Sequence, residues 1–283
     1  AMDRSGAVAM GLSAINTYPG ENTPEDYCRY VSADLMGITR DDLVYDVGRH
    51  VDGTVHLFEE WGLPIWKEMD DGGRVDGANW EKRGGKLLKD GGKPVRSGRW
   101  QIMINGEGYK TIVAEAAKKA LGMENIFERV FIVKYILDKN NPNQIAGAVG
   151  FSVREHKLYV FKAKTILNVC GGAVNVFRPR STGEGMGRVW YPVWNAGSTY
   201  AMAAEVGAEL TMMENRFVPT RFKDGYGPVG AWFLLFKAKA TNAFGEDYAT
   251  TNQDMLKQYA PYDKAFVVPS CLRNHVMLKE MKE

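Results

Sequence analysis

The chain is poor in cysteine and contains no long apolar run. Its three cysteines, Cys28, Cys170 and Cys271, are widely spaced without a CxxC pair, so they predict neither a disulfide framework nor an iron–sulfur cluster. We therefore expect a reducing, cytoplasmic setting. The longest apolar stretch, residues 229–236, is far shorter than the about 20 residues that a membrane span needs. No signal-peptide pattern opens the chain, and we expect no membrane span.

Histidine occurs four times, in a spacing that does not match the common metal motifs. His50 and His56 lie six residues apart on one expected helix, which places them on different faces, and we expect both at the surface. The sequence contains no HExxH, no GxSxG and no P-loop lysine motif, which leaves hydrolase and kinase functions without residues. The histidine spacing leads us to expect no metal site. The 36 basic and 34 acidic residues are mixed along the chain, a balance that argues neither for nor against nucleic acid, and because no basic tract is long enough to suggest a nucleic-acid partner, we expect none.

Helix signals are clear in several places. Thr23, Pro24 and the acids after them predict a capped helix that runs to about Met36. A second start at Thr39, with an acid three residues later, resembles a capping box, and Gly62 would close that helix. Two further helices are expected over residues 111–121 and 196–210.

Strand signals begin near residue 129. Three β-rich stretches separated by polar turns predict an antiparallel meander, followed by a strand over residues 165–170 that ends at Gly171 and Gly172. Residues 69–98 are rich in Gly, Asp, Lys and Arg and predict a solvated excursion. This mixture of helices and strands predicts an α/β (α+β) fold of enzyme size.

Small residues and arginines mark the candidate binding surfaces. The small-residue stretch at 4–16 is typical either of a tightly packed helix or of a main-chain surface against a planar or phosphate-bearing ligand. It lacks the GxGxxG of a dinucleotide site; if the protein has that fingerprint, it lies upstream of Ala1. Arg216 and Arg221 flank Pro219 beside a glycine-rich loop, an arrangement that suits a sulfate, phosphate or carboxylate group.

Taken in order, several strings are specific: RSGAVAMG, TILNVCGGA, GSTYAMAAEVGAEL and MENRFVPTRF. They resemble the flavoprotein subunits of the succinate dehydrogenase and fumarate reductase superfamily. Ser198 stands where that superfamily has Asp, and residues 216–220 lack its His, which weakens a dicarboxylate oxidoreductase as the alternative. The strings GRWQIMINGEGYK, CGGAVNVFRPRS and NRFVPTRFKDGYGPVG resemble one branch, the adenylylsulfate reductase alpha subunits, and the resemblance covers essentially the whole chain.

The resemblance implies a fold and a domain division. Residues 1–216 would be a partial FAD-binding domain of the fumarate reductase flavoprotein type, with a β-meander but without its N-terminal Gly-rich βαβ start. Residues 217–283 would be the partial start of a capping, substrate-binding domain. The chain would then be a piece of a longer protein. An inactive piece with no FAD affinity of its own is a second alternative.

The resemblance also implies an activity and partners. The protein would interconvert adenosine 5′-phosphosulfate and sulfite plus AMP through a flavin N5–sulfite adduct, in dissimilatory sulfur metabolism. Its FAD would be non-covalent, since His50 is the histidine nearest to the N-terminal flavin segment. Electrons would pass to and from an iron–sulfur beta subunit, and [4Fe-4S] clusters would lie only in that partner.

The implied site residues fall into three groups. Catalytic roles are implied for Arg221 facing the phosphosulfate, Asn16 near the flavin and Glu107 as a polar or proton-handling group. A substrate pocket is implied for Gly230, Phe233, Leu234 and Arg273, with the arginine stacked on adenine. Contact with the flavin is implied for Ser5, Gly6, Ala7, Gly11, Leu12, Ala14, Val130, Cys170, Gly171, Gly172, Trp190 and Ser198.

Overall fold

The computed structural model describes residues 2–10, 14–18, 20–65, 67–68, 86–94, 97–104, 108–173, 192, 194–215, 239, 241–264 and 270–282. The chain forms two compact units, the first from residues 1–12 and 106–211, the second from residues 13–105 and 212–283. Each unit has a small antiparallel sheet and core clusters of its own. Within the described ranges, no helix combines the length and the apolar character that crossing a membrane requires.

The second unit opens with strand β1 (Ala14–Asn16) and helix α1 (Pro24–Asp34). The Thr23 side chain accepts a hydrogen bond from the Asp26 N–H, and the Asp26 carboxylate accepts one from the Thr23 N–H at 3.1 Å. The predicted start of this helix is therefore confirmed, as a reciprocal capping box with proline in the first turn. The same hydrogen bond from the Thr23 main chain is the first cause of a lowered pKa at Asp26.

Helix α2 (Asp41–Glu60) starts later than predicted. Arg40 is its N-terminal cap and makes no side-chain capping bond, because a guanidinium has no acceptor for an N–H. The Thr39 hydroxyl, which the predicted capping box required, is hydrogen-bonded to the Asp41 carboxylate at 2.5 Å instead. The predicted end is confirmed. Gly62 has a φ of 98°, and the next N–H, that of residue 63, returns to the carbonyl of Phe58 at 2.9 Å. This is the Schellman closure that glycine favours.

A buried ion pair connects α2 to the chain that follows it. Lys67 Nζ contacts Glu59 Oε1, and the two side chains are 1% and 2% exposed. Glu59 Oε2 also accepts a hydrogen bond from the Leu88 N–H at 2.7 Å, and Lys67 forms an antiparallel bridge with Pro94. Residues 69–85 lie outside the described part of the chain. In residues 86–94 the prediction of a solvated excursion is confirmed in part: most of these residues are exposed and none is buried, but the contacts with Glu59 and Lys67 anchor the stretch to the unit.

The sheet of this unit has the antiparallel order β1-β3-β2, with β2 (Ser97–Gly98) and β3 (Gln101–Met103). Ile102 and Met103 on β3 are buried. Residues of α1 and α2 contribute to a mostly aromatic core. It consists of the buried Tyr18, Tyr27 and Val44 and the half-buried Tyr30 and Trp100.

In the described part of residues 241–282, the second unit contains the helices α5 (Tyr248–Thr251), α6 (Gln253–Lys257) and α7 (Ser270–Glu280). They share an apolar cluster of Tyr248, Leu256, Leu272 and Val276. A polar network borders it, in which the buried Asn252 amide donates to Glu280 Oε1 at 2.5 Å and accepts from Lys279 Nζ at 2.9 Å.

The first unit contains α3 (Tyr109–Leu121) and the strands β4 (Val130–Leu137), β5 (Ile145–Ser152) and β6 (Leu158–Lys162). The strands pair antiparallel in the order β4-β5-β6, so the predicted meander and the predicted helix before it are both confirmed. Helix α4 (Ser198–Glu205) packs on β4, with Met202 buried against Tyr135 and Ala148.

Two predictions fail in this unit. Residues 165–170 form no strand and no ladder within the described chain; Leu167 and Val169 are 87% and 77% exposed. An apolar β-prone stretch becomes a strand only when a neighbouring strand pairs with it. The helix expected over 196–210 ends at Glu205, because Gly207 takes a φ of 80° and the Ala208 N–H returns to the Ala203 carbonyl at 3.0 Å.

Candidate functional site

The double-glycine turn is fastened to the start of α4. Gly171 has a φ of 82°, in the left-handed region, and a Cβ built on it would lie 2.6 Å from Asn195 Nδ2. The Thr199 hydroxyl donates a hydrogen bond to the Gly171 carbonyl at 2.9 Å. Gly171 is therefore favoured by its own backbone conformation, and any larger residue would also have to displace the Asn195 amide, whatever ligand the turn contacts.

The α-carbon of Gly172, by contrast, faces open space. A Cβ built on it meets no atom of the described chain within 4 Å. Beside it Ala173 bridges Ala196, and α4 begins at the exposed Ser198 after Gly197, whose φ is 91°. The turn thus brings accessible main chain next to a helix N-terminus, where unpaired N–H groups favour an electronegative ligand atom.

Asn168 links the same two segments. Its Nδ2 donates to the Thr199 carbonyl at 3.0 Å. Its Oδ1 is buried and receives no hydrogen bond from the described residues. Because buried polar atoms are rarely left unsatisfied, this oxygen calls for a donor from outside the described ranges.

The N-terminal small-residue segment forms two short 3₁₀ turns, Met2–Arg4 and Ala7–Met10, that lie against α3. Gly6 connects them with a φ of 78°, and a Cβ built on it meets nothing within 4 Å in the described chain. Ser5 and Gly6 are exposed and Ala7 is half-buried. The interpretation of residues 4–16 as one tightly packed helix is therefore wrong for the described residues, which form short 3₁₀ turns and strand β1, while Gly6 does present exposed main chain.

Asn16 lies exposed at the end of β1, and both ends of its side-chain amide are engaged. Nδ2 donates to the Trp100 carbonyl at 3.0 Å, and Oδ1 accepts a hydrogen bond from the hydroxyl of Tyr27. The predicted site residue is thus held in one orientation by two groups that are distant in sequence.

The groups that hold Asn16 belong to the aromatic core of the second unit. Tyr30 stacks on Trp100 with ring centroids 4.7 Å apart, Tyr27 meets Trp100 edge-on at 6.2 Å, and Arg99 lies 4.9 Å from the Trp100 ring centre. Burial raises the pKa of Tyr27 and of Tyr30 above the ordinary tyrosine value. Both hydroxyls therefore keep their protons at neutral pH and are available as donors.

The other predicted flavin contacts in the described chain are spread over both units. Val130 is half-buried at the start of β4, Cys170 is an exposed free thiol, and Ala14 is half-buried on β1 opposite Met103. Within the first unit, the structure brings Gly171, Gly172 and Ser198 together.

Arg273 is half-buried on α7, next to the buried Leu272. The remaining predicted site residues lie outside the described ranges: Gly11, Leu12, Glu107, Trp190, Arg221, Gly230, Phe233 and Leu234.

The histidines take part in local contacts. His56 Nε2 lies 3.2 Å from Asp52 on the same helix, and His275 Nε2 lies 3.3 Å from the Tyr259 hydroxyl. In the part of the chain that the structure describes, no three His, Cys, Asp or Glu side chains come together as metal ligands.

Sequence reasoning missed the residues that hold the predicted ones in place. Thr199 fastens the glycine turn, Asn195 lies close to Gly171, and Tyr27 and Trp100 orient Asn16. Thr199 carried a usable signal, because it is a hydroxyl residue in the first turn of a helix that follows a glycine turn. Tyr27 and Trp100 carried none, since aromatic residues are most often core.

Comparison with known proteins adds strong matches. No family model matches the chain. Over its whole length it is 68% identical to the adenylylsulfate reductase subunit alpha of Megalodesulfovibrio gigas, of which it spans 42%. Adenylylsulfate reductase from the hyperthermophilic Archaeoglobus fulgidus matches all of it with 56% identity and a TM-score of 0.86. An adenosine-5-phosphosulfate reductase in complex with sulfite, described as a covalent adduct, matches all of it with 57% identity and the same score. The chain covers 42% of each of these two structures.

Proposed function

We propose that the chain, which matches adenylylsulfate reductase alpha subunits from end to end, forms part of such a subunit. The whole protein interconverts adenosine 5′-phosphosulfate and sulfite plus AMP. The observation that carries this proposal is the 68% identity over all of the chain, together with a TM-score of 0.86 to two structures of the same kind. Residues 1–216 belong to its FAD-binding domain and residues 217–283 begin its capping domain.

FAD is the proposed cofactor, and three features of the first unit fit it. At Gly172 and at Gly6 the main chain is accessible, because a Cβ built on either glycine meets no atom of the described chain within 4 Å. Asn168 Oδ1 is a buried acceptor still in need of a donor. The N-terminus of α4 at Ser198 suits an electronegative atom at the edge of the FAD ring system. When bound, FAD supplies two-electron redox chemistry at its N5 position.

The chain's own residues orient the reactants. Ser5, Gly6, Ala7, Gly171 and Gly172 give the flavin a main-chain surface to lie against. The other flavin contacts that the resemblance implies are proposed with them: Gly11, Leu12, Ala14, Val130, Cys170, Trp190 and Ser198. Asn16 offers an N–H donor beside the flavin and the transferring sulfur group.

The substrate is held by residues of the proposed capping region. Arg221 faces the phosphosulfate and stabilises negative charge that builds up as AMP leaves. Gly230, Phe233 and Leu234 exclude water around it. Arg273 stacks on adenine, as a planar cation can. Glu107 holds or moves a proton near the site.

An iron–sulfur beta subunit is the proposed electron partner. The three cysteines, Cys28, Cys170 and Cys271, are all free, and four thiolates are the usual requirement of a [4Fe-4S] cluster. We place the alpha–beta complex in the cytoplasm, where free thiols are stable.

The decisive test is Arg221→Ala in the complete enzyme. Removing one charge-assisted contact from a preorganised site lowers turnover by about 10²–10³-fold, so turnover of adenylylsulfate should fall by that factor while FAD content stays normal. Arg221→Lys should restore part of the rate, because an ammonium cannot reproduce the two-pronged geometry.

The matched control is Arg154→Ala. Arg154 is an exposed arginine in the turn between β5 and β6, and its replacement should leave turnover unchanged. If Arg221→Ala behaved like this control, Arg221 would be a surface charge and the proposed substrate pocket would be wrong.

A further inference from the structure

The orientation of the Asn16 amide follows from its contact with the Trp100 carbonyl oxygen, which is a hydrogen-bond acceptor only. The Trp100 carbonyl oxygen, 3.0 Å from the Asn16 side chain, can accept a hydrogen bond but cannot donate one. The amide nitrogen must therefore be the end that faces Trp100. An amide turned the other way would place two acceptor oxygens against each other.

Because the amide nitrogen of Asn16 faces Trp100, its oxygen faces Tyr27, and the Tyr27 hydroxyl can only be the hydrogen-bond donor. Its hydroxyl meets Asn16 Oδ1, which carries no proton, so the tyrosine must be the donor. Tyr27 is 8% exposed, and its ring lies among Tyr18, Tyr30 and Trp100. The donor is thus fixed by a packed aromatic core while the acceptor side chain remains exposed.

A primary amide has two N–H donors and two acceptor lone pairs. On Asn16 the described contacts use one of each, so one N–H and one lone pair remain on the exposed side. Which of the two faces an incoming group matters, because an oxyanion is attracted by the N–H and repelled by the lone pair.

We propose that Tyr27 is a positioning residue, which holds the amide of Asn16 so that its second N–H is presented to an oxyanion such as sulfite. Together with the Trp100 carbonyl, Tyr27 turns a side chain with two possible orientations into a fixed donor. The inference rests on the proposed function for the identity of the oxyanion, while the two hydrogen bonds exist independently of it.

The test uses the full-length alpha–beta holoenzyme carrying Tyr27→Phe, which keeps the ring and removes the donor. Sulfite is titrated against bleaching of the flavin absorbance. The half-saturating sulfite concentration should rise about tenfold, the order expected for one hydrogen bond that orients a polar contact. FAD content and melting temperature should remain close to those of the unmodified enzyme.

The matched control is Tyr18→Phe. Tyr18 belongs to the same aromatic cluster, and its hydroxyl donates to the Gly48 carbonyl at 2.9 Å, away from Asn16. The Tyr18→Phe variant should leave the half-saturating sulfite concentration unchanged. Asn16→Ala should weaken sulfite binding at least as much as Tyr27→Phe, and the double variant should be no worse than Asn16→Ala alone, because Tyr27 acts through that amide.

Two results would overturn the inference: a Tyr27→Phe titration equal to that of Tyr18→Phe, or a double variant in which the two losses add in full. If the unmodified holoenzyme gave no response to sulfite, the proposed function would fail instead. The positioning is then measured by NMR on enzyme labelled with ¹⁵N-asparagine. The Asn16 side-chain order parameter should be high in the unmodified enzyme and low in Tyr27→Phe. Equal values in the two proteins would refute the proposal that Tyr27 positions Asn16.

Discussion

Replacing Lys67 by methionine should destabilise the second unit strongly, because it removes one half of the buried ion pair. Glu59 would keep its hydrogen bond from the Leu88 N–H at 2.7 Å but would lose the cation that balances its charge. Both side chains are almost fully buried, at 2% and 1% exposure, so water cannot replace the lost partner. Breaking such a pair costs about 3–5 kcal/mol of unfolding free energy.

The double variant Glu59→Leu, Lys67→Met distinguishes pairing from packing. Removing both charges also removes both desolvation penalties, and an apolar replacement of similar volume is often neutral or stabilising by about 1–4 kcal/mol. The Leu88 N–H would then lack its acceptor, at a cost of about 1–3 kcal/mol. The two effects nearly cancel, so the double variant should be more stable than Lys67→Met alone.

The assay is urea unfolding of the complete alpha subunit followed by circular dichroism, with the slope against urea checked for each variant. Lys257→Met is the control, because its exposed pair with Asp254 at 2.8 Å should contribute little, so stability should be unchanged. A Lys67→Met variant as stable as this control would refute the reasoning. So would a double variant that is less stable than Lys67→Met alone.

Three further outcomes are expected. Gly171→Ala should cost about 1–2 kcal/mol of stability because of its positive φ and the close Asn195 side chain, whereas Gly172→Ala should fold normally and retain less FAD. Unfolding curves and flavin absorbance measure both, and normal FAD retention in Gly172→Ala would contradict its placement at the cofactor. Acid precipitation of the holoenzyme should release all of the FAD into the supernatant, since His50 is the nearest histidine to the N-terminal segment. Flavin that stayed in the pellet would disprove non-covalent binding.

Signals that act within one or two turns of chain were enough to predict much of the fold. The start of α1 and the end of α2 followed from Thr23, Pro24 and Gly62, because capping and left-handed closure are local. The start of α2 was missed because the Thr39 hydroxyl had a competing carboxylate, that of Asp41, within reach.

Contacts between distant residues could not be predicted in this way. The ion pair between Glu59 and Lys67 joins charged residues that, by sequence alone, belong at the surface. The strand expected over 165–170 had the right composition, but a strand also needs a neighbour to pair with.

The candidate site also contains one part that local sequence signals predicted and one part that depends on contacts between distant residues. The glycine turn before α4 was predicted from Gly171 and Gly172, since glycine pairs after a β-prone run are a local signal. The two groups that hold Asn16 depend on tertiary folding, which brings Trp100 to β1 from 84 residues away. No window of sequence contains that information.

The unpaired stretch at 165–169 has a practical consequence for handling the chain. Leu167 and Val169 project into solvent on alternate positions, beside main-chain groups that no ladder occupies within the described residues. An exposed apolar segment of β-prone residues can pair with another copy of itself although it forms no strand here, so association should increase with protein concentration. A lysine at position 167 would act as a gatekeeper charge and keep concentrated samples monodisperse for longer.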